Sequence, residues 1–233
     1  MKKIAILQSN YIPWKGYFDI IAAVDEFILY DEMQFTKNDW RNRNQIKTPT
    51  GLLWLSVPVG KNISRRICDV EISDSRWQEK HWKSLQLNYS QASYFKEVSE
   101  WLEPIYRSGQ HRYLSALNRI LIEAICDHLN ISTTISNSWD YSLCEGKSER
   151  LVNLCQQAGA DAYLSGPSAK NYIDEKLFHA AGISLEFFDY SSYPIYPQLW
   201  GEFSHGVSVL DLLFNCGKSG ASYLKFRGGE IGN

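Results

Sequence analysis

Three stretches of the chain concentrate side chains that can bind or activate a small molecule. The first is Gln8-Ser9-Asn10-Tyr11-Ile12-Pro13-Trp14-Lys15-Gly16-Tyr17-Phe18. Gln8 and Asn10 each carry an amide that both donates and accepts hydrogen bonds. The helix expected after them offers free backbone N–H groups and a partial positive charge, which suit a phosphate. Gly16 leaves room for a ligand to come close. Gln8, Asn10 and Tyr11 are read as ligand contacts, whereas Tyr17 and Phe18 are read as packing.

The second stretch runs over residues 31–47. Asp31 falls just past an apolar strand, where catalytic carboxylates often stand. Trp40, Arg41, Arg43 and Lys47 combine a stacking surface with anion donors, and guanidinium forks match phosphate. That mixture fits a nucleotide sugar, and it also fits a nucleic-acid strand. The third stretch is Ser165-Gly166-Pro167-Ser168-Ala169-Lys170. Its backbone amides could hold an anion that Lys170 neutralises, although it has neither Walker nor dinucleotide spacing. Among five scattered histidines, His81 is the general-base candidate beside Asp31. No HxxxH or Cys/His cluster calls for a metal, no nucleophile elbow is present, and no cofactor is expected.

The elements that must position these residues follow from periodicity. Strands are expected at 3–7, 26–30, 131–136, 162–164 and 184–188. Helices are expected at 14–24, 76–89, 93–107, 111–129, from Ser148 as N-cap to Gly159, at 169–181 and at 207–214. The order β-α-β, then a hairpin of 44–48 with 52–58 and three helices, then β-α-β-α-β defines an α/β fold. It implies a mostly parallel Rossmann-like sheet with helices on both faces, plus an inserted hairpin and helical segment over about 35–129. Residues 1–217 read as one domain, and 218–233 as a Gly-rich, mobile tail. In an open parallel sheet, ligands gather beyond the carboxyl ends of the strands. That rule selects four loops, 8–16, 31–44, 137–147 and 165–170, and so puts all three stretches along one edge.

Composition excludes several classes. The chain of 233 residues carries a net charge of -2, so no basic field draws it to DNA or a membrane surface. Five cysteines without a CxxC pair fit a reduced, cytoplasmic protein. No apolar run is long enough to span a membrane, and the run after Lys2-Lys3 stops at Gln8, too early for an export signal.

The motifs Gln8-x-Asn10-Tyr11-x-Pro13-Trp14-x-Gly16-Tyr17-Phe18, Asp31-x-x-Gln34-Phe35-Thr36-Lys37 and Trp40-Arg41-Asn42-Arg43-Asn44-x-Ile46-Lys47 resemble the WbqC-like bacterial family. So do Tyr163-Leu164-Ser165-Gly166-x-x-Ala169-Lys170-x-Tyr172 and Ser208 to Gly217. The resemblance implies a place in O-antigen and other surface-polysaccharide biosynthesis. It also implies acyl or amino-acyl (for example glycyl) transfer to an amino sugar carried on a nucleotide, with an aminoacyl donor that could be aminoacyl-tRNA. It adds Trp14, Gln34, Asn42, Asp211 and Asn215 to the matched substrate-binding positions, without a role for any of them. Under this reading Asp31 or His81 is the base, and Gln8, Asn10 or a backbone N–H holds the oxyanion. Two alternatives compete. One is an adenylating or other nucleotide-binding enzyme, although the His-x-Gly-His element of nucleotidyltransferase-like sheets is absent. The other is a non-catalytic RNA- or tRNA-binding module using Trp40–Lys47.

Overall fold

In the computed structural model, which describes residues 1–226, the elements run as follows. β1 (Lys3–Leu7), α1 (Lys15–Ala22) and β2 (Glu26–Leu29) form the first unit. The antiparallel hairpin β3 (Arg43–Thr48) and β4 (Gly51–Ser56) follows. Next come α2 (Trp77–Tyr89), α3 (Phe95–Ser108) and α4 (Leu114–His128). The chain then returns through β5 (Thr134–Asn137), α5 (Ser148–Gln157), β6 (Ala162–Ser165), α6 (Glu175–Ala180), β7 (Ser184–Phe187) and α7 (Val209–Cys216).

The strands pair in the order β5-β2-β1-β6-β7, and every pairing is parallel. β1 sits at the centre because its apolar run can be covered on both faces, as a parallel sheet requires. Ile4 and Ile6 face Leu151, Leu154 and Phe178, so α5 and α6 cover that side. Ala5, Phe27 and Leu29 join the larger core on the other side, with Phe18, Leu85, Val98, Leu117 and Phe214. A fully buried ring or branched side chain there stabilises by roughly 1.5–3 kcal/mol. The hairpin buries Asn44, Ile46 and Lys47 from β3, but of β4 only Leu55 is buried.

Local differences from the sequence reading have physical causes. The expected helix over 169–181 is split into a 3-10 turn, Pro167–Asn171, and α6. Asp174 divides them, because its carboxylate caps α6 by accepting from the Lys176 N–H. Ser148 does not cap α5; its hydroxyl instead accepts from the Asp174 N–H at 3.0 Å. The tail read as mobile from 218 is anchored through residue 226. Gly217–Tyr223 form a 3-10 turn, and the Lys225 and Phe226 N–H groups donate to Asp19 at 3.0 and 2.8 Å. The rest of that tail, 227–233, lies outside the described residues.

The chain leaves β1 toward β2 on one side, and β6 lies on the other. The crevice beyond the carboxyl ends of β1 and β6 is therefore the switch point of the sheet.

Candidate functional site

The segment after β1 is held in an unusual path. Ile12 is a β-branched residue at φ 37, a left-handed conformation that costs about 1–3 kcal/mol. The hairpin arm fixes it. The Asn44 side-chain amide donates to Ile12 O at 2.8 Å and to Tyr11 O at 3.2 Å, and the Tyr11 N–H donates to Trp40 O at 3.0 Å. From below, the Ser9 N–H donates to Asp31 at 2.8 Å, and Asn118 donates to Ser9 Oγ at 3.0 Å and to Arg41 O at 2.9 Å.

Strung between the two segments is Arg41. Its guanidinium donates to the side-chain oxygens of both Gln8 and Asn10 and lies 3.8 Å from Asp39. With side-chain exposure of 16%, it is mostly shielded from water. Because each amide oxygen accepts from Arg41, each amide nitrogen is turned away as a donor. Among the described residues, neither nitrogen has a protein partner.

A cavity opens on each side of this bridge. Gln8 lines one of about 700 Å3 at the switch point, with Tyr30, Lys147, Arg150, Tyr163 and Tyr172. Arg150 projects from the first turn of α5 and is braced by Cys144 O at 2.8 Å. Lys147 is exposed and pairs with no carboxylate among the described residues. Burial raises the pKa of Tyr30 and of Tyr163, so both phenols stay protonated and can donate.

Asn10 lines the other cavity, of about 360 Å3, with Pro13, Trp14, Trp40, Asn44, His205 and Gly206. Trp14 is wedged against Tyr190 and Tyr193, with centroids 5.4 and 5.6 Å away. Gly16 serves this ring rather than a ligand, since a Cβ there would lie 2.3 Å from Trp14 Cζ2. Lys15 is only 2% exposed. It donates to Pro194 O at 2.8 Å and lies 5.0 Å from the Tyr193 and Tyr196 ring centres. Burial lowers its pKa to about 8 against the opposing charge of Asp19. Burial, and then the positive charge of Lys15, also lower the pKa of His205. His205 therefore stands in the cavity wall as a neutral imidazole, its Nδ1 buried and without a hydrogen-bond partner.

Of the sequence candidates, Gln8, Asn10, Trp14, Trp40 and Arg41 come together here. The two proposed bases do not join them. Asp31 is fully buried, with one oxygen taken by the Ser9 N–H and the other by the Ser115 hydroxyl. His81 is buried, its Nδ1 2.8 Å from the Tyr11 hydroxyl, and burial drives its pKa down to about 4. Tyr11 is equally buried, 2.5 Å from the Tyr106 hydroxyl, so it is core and not a ligand contact.

Lys47 is buried and donates to Gln198 at 2.9 Å and Glu202 O at 2.5 Å, which leaves no ammonium for a phosphate. Asp211 is buried beneath the Tyr89 and Tyr196 hydroxyls, at 2.8 and 2.9 Å, and burial raises its pKa. Asn215 bonds back to Asp211 O within α7, and Asn42 donates to Val57 O. Arg43 stacks over Trp54 at 4.2 Å. Gln34 is exposed and forms a backbone bridge to Arg66. Ser165 is buried against Tyr163, Lys170 lies 5.0 Å from the Phe187 ring, and Gly166 precedes the 3-10 turn without lining either cavity.

The sequence reading missed His205, Lys15, Lys147 and Arg150. The cations at i and i+3 opening a helix beside the switch point carried a usable signal. His205 carried none, since its loop reaches the site only through tertiary packing.

The fold and site define a parallel α/β protein with paired cavities at the switch point of its sheet. The chain belongs to the WbqC-like protein family, whose sequence model matches residues 8–223. It is 55% identical over 228 residues to the "Uncharacterized protein Rv1507c" of Mycobacterium tuberculosis (strain ATCC 25618 / H37Rv), covering 97% of this chain and 99% of that one. No solved structure matches. Among the described residues, no helix is long and apolar enough to cross a membrane, and no cluster of His, Cys, Asp and Glu is arranged to hold a metal.

Proposed function

We propose that this protein is a cytoplasmic transferase of bacterial surface-polysaccharide biosynthesis that passes an acyl or amino-acyl group to an amino sugar carried on a nucleotide. The observation that carries this reading is the Arg41 bridge with one cavity on each side. Two substrates that must exchange a group need two sites meeting at one point. In this reading the larger cavity takes the nucleotide sugar, with Lys147 and Arg150 against its pyrophosphate. The smaller one takes the acyl donor between Trp14 and Trp40.

The chemistry follows from the groups at the bridge. The sugar amine attacks the acyl carbon, and the carbonyl oxygen gains negative charge. The amide nitrogens of Gln8 and Asn10, polarised by Arg41, supply hydrogen bonds to that oxyanion. Neutral His205 accepts the proton that the amine nitrogen loses. The donor's leaving group departs as the new amide forms. His205 takes the base role from Asp31 and His81, which lie sealed from both cavities.

Thermal-shift measurement tests the binding half. A nucleotide amino sugar at a hundred times its Kd adds about 2.7 kcal/mol of apparent stability. For a chain of this size, that raises Tm by about 5–10 °C. Arg150→Met lowers this protection, whereas protection by free amino sugar without the nucleotide stays small. No shift with any nucleotide sugar defeats the reading.

A further inference from the structure

A third cavity, of about 390 Å3, lies beyond the carboxyl ends of β2 and β5 and against the first turn of α4. Its wall includes Glu32, Arg66, Tyr113, Ser115, Arg119 and Trp139. Its volume falls in the range of small-ligand sites. Two features of the wall call for an occupant. Trp139 is 46% exposed, and among the described residues no aromatic ring or cation packs on it, while Tyr113 beside it is 38% exposed. Glu32 has one carboxylate oxygen buried without a hydrogen-bond partner, and its other oxygen lies 3.6 Å from Arg66, beyond a good hydrogen bond.

The charge arrangement selects the ligand class. Arg66 is spent on Asp69, with contacts of 2.7 and 3.1 Å. Arg119 is spent on Glu123 at 2.8 Å and on Ile135 O at 2.9 Å. Each guanidinium is thus paired with a carboxylate, and Glu32 leaves the wall with an unbalanced negative charge, which disfavours a phosphate. What remains open is acceptor capacity. Glu32 Oε1 makes no hydrogen bond, its nearest cation standing 3.6 Å away, and the Ser115 hydroxyl, whose proton goes to Asp31, keeps its lone pairs. The Cys68 thiol at the same wall is pushed up to about 11 by burial and then by Asp69, so it stays protonated and is no nucleophile.

We propose that this cavity binds an uncharged, hydroxyl-rich ring, a saccharide unit, which lays an apolar face on Trp139 and donates hydrogen bonds to Glu32 and Ser115. A nucleotide would fill the volume, but its phosphates would meet Glu32 and two cations already paired with carboxylates. The site is separate from the paired cavities and does not depend on the transferase reading.

The test is NMR of the Trp139 indole N–H, assigned by its loss in Trp139→Phe. The probes are uncharged methyl glycosides of a hexose and of an N-acetylhexosamine, with nucleoside monophosphates in parallel. The glycosides are expected to move the signal at millimolar concentration. Glu32→Gln weakens them by about fivefold, because one strong acceptor is replaced by a neutral one. Trp139→Ala, at an exposed position that leaves the core intact, weakens them by about tenfold. A signal that no glycoside moves overturns the proposal. So do movement by the nucleotides alone, and glycoside binding that both variants leave unchanged. A failure of nucleotide-sugar protection in the thermal-shift assay leaves these readings untouched.

Discussion

Removing Asp31 is expected to damage the fold and not merely the chemistry. In Asp31→Ala, the Ser9 N–H and the Ser115 hydroxyl both lose their buried acceptor. Leaving one buried donor unpaired costs about 1–3 kcal/mol. Part of this is recovered because a sealed carboxylate no longer has to be desolvated. The net loss is expected to be about 3 kcal/mol, equivalent to a Tm drop of about 6–12 °C. Ser115→Ala strands one oxygen of a buried carboxylate and costs about 2 kcal/mol. Because both changes break one network, the double variant loses at least about 1 kcal/mol less than the sum of the singles. Urea unfolding of the wild type, both singles and the double gives all four values. An Asp31→Ala protein as stable as the wild type, with turnover alone abolished, refutes the structural assignment and restores Asp31 as the base.

Acid pH should weaken the protein through His81. Its pKa falls from 6.5 unfolded to about 4 folded, so the unfolded chain binds the extra proton first, and stability drops as pH falls through that window, by up to about 3 kcal/mol. His81→Asn, which keeps a partner for the Tyr11 hydroxyl, flattens that part of the stability-against-pH curve; an unchanged curve contradicts the burial argument. Gly16→Ala pushes a methyl into the Trp14 ring and costs about 1–3 kcal/mol, and a crystal structure of the variant should find Trp14 displaced from the smaller cavity. Lys47→Met removes two buried hydrogen bonds and lowers Tm, yet nucleotide-sugar affinity, measured by calorimetry, should stay within about twofold of the wild type.

Most of the fold was legible because its signals are local. β1 reads as a buried strand from Ile4-Ala5-Ile6-Leu7 alone, and α4 from its apolar spacing. The order of elements then made a parallel sheet the economical arrangement. Asp174 escaped because a cap inside an apolar pattern looks like any helical acid until its carboxylate is seen accepting from Lys176.

The site was legible only in part, because residue type does not reveal burial. Asp31, Lys47 and Asp211 look like ligand-binding residues, yet each closes a buried network that joins distant segments. Gln8, Asn10 and Arg41 fall in loops that the element order brings to one sheet edge, but no local pattern marks them as one hydrogen-bonded bridge. That bridge depends on the path of Ile12, which is set by Asn44 from the hairpin. His205 and Lys15 acquire their character from the Tyr193–Tyr196 loop folding over α1, which no local pattern encodes.

The most direct test of the central claim is mass spectrometry of nucleotide amino sugars incubated with the full chain and a panel of acyl and aminoacyl donors, aminoacyl-tRNA included. The expected product is the nucleotide sugar heavier by one acyl group and carrying an amide at the amino position. Arg41→Ala and His205→Ala should each cut its formation by at least about a hundredfold, the usual loss when an oxyanion donor or a general base is removed. No mass gain with any donor, or product formed equally fast without Arg41, contradicts the account.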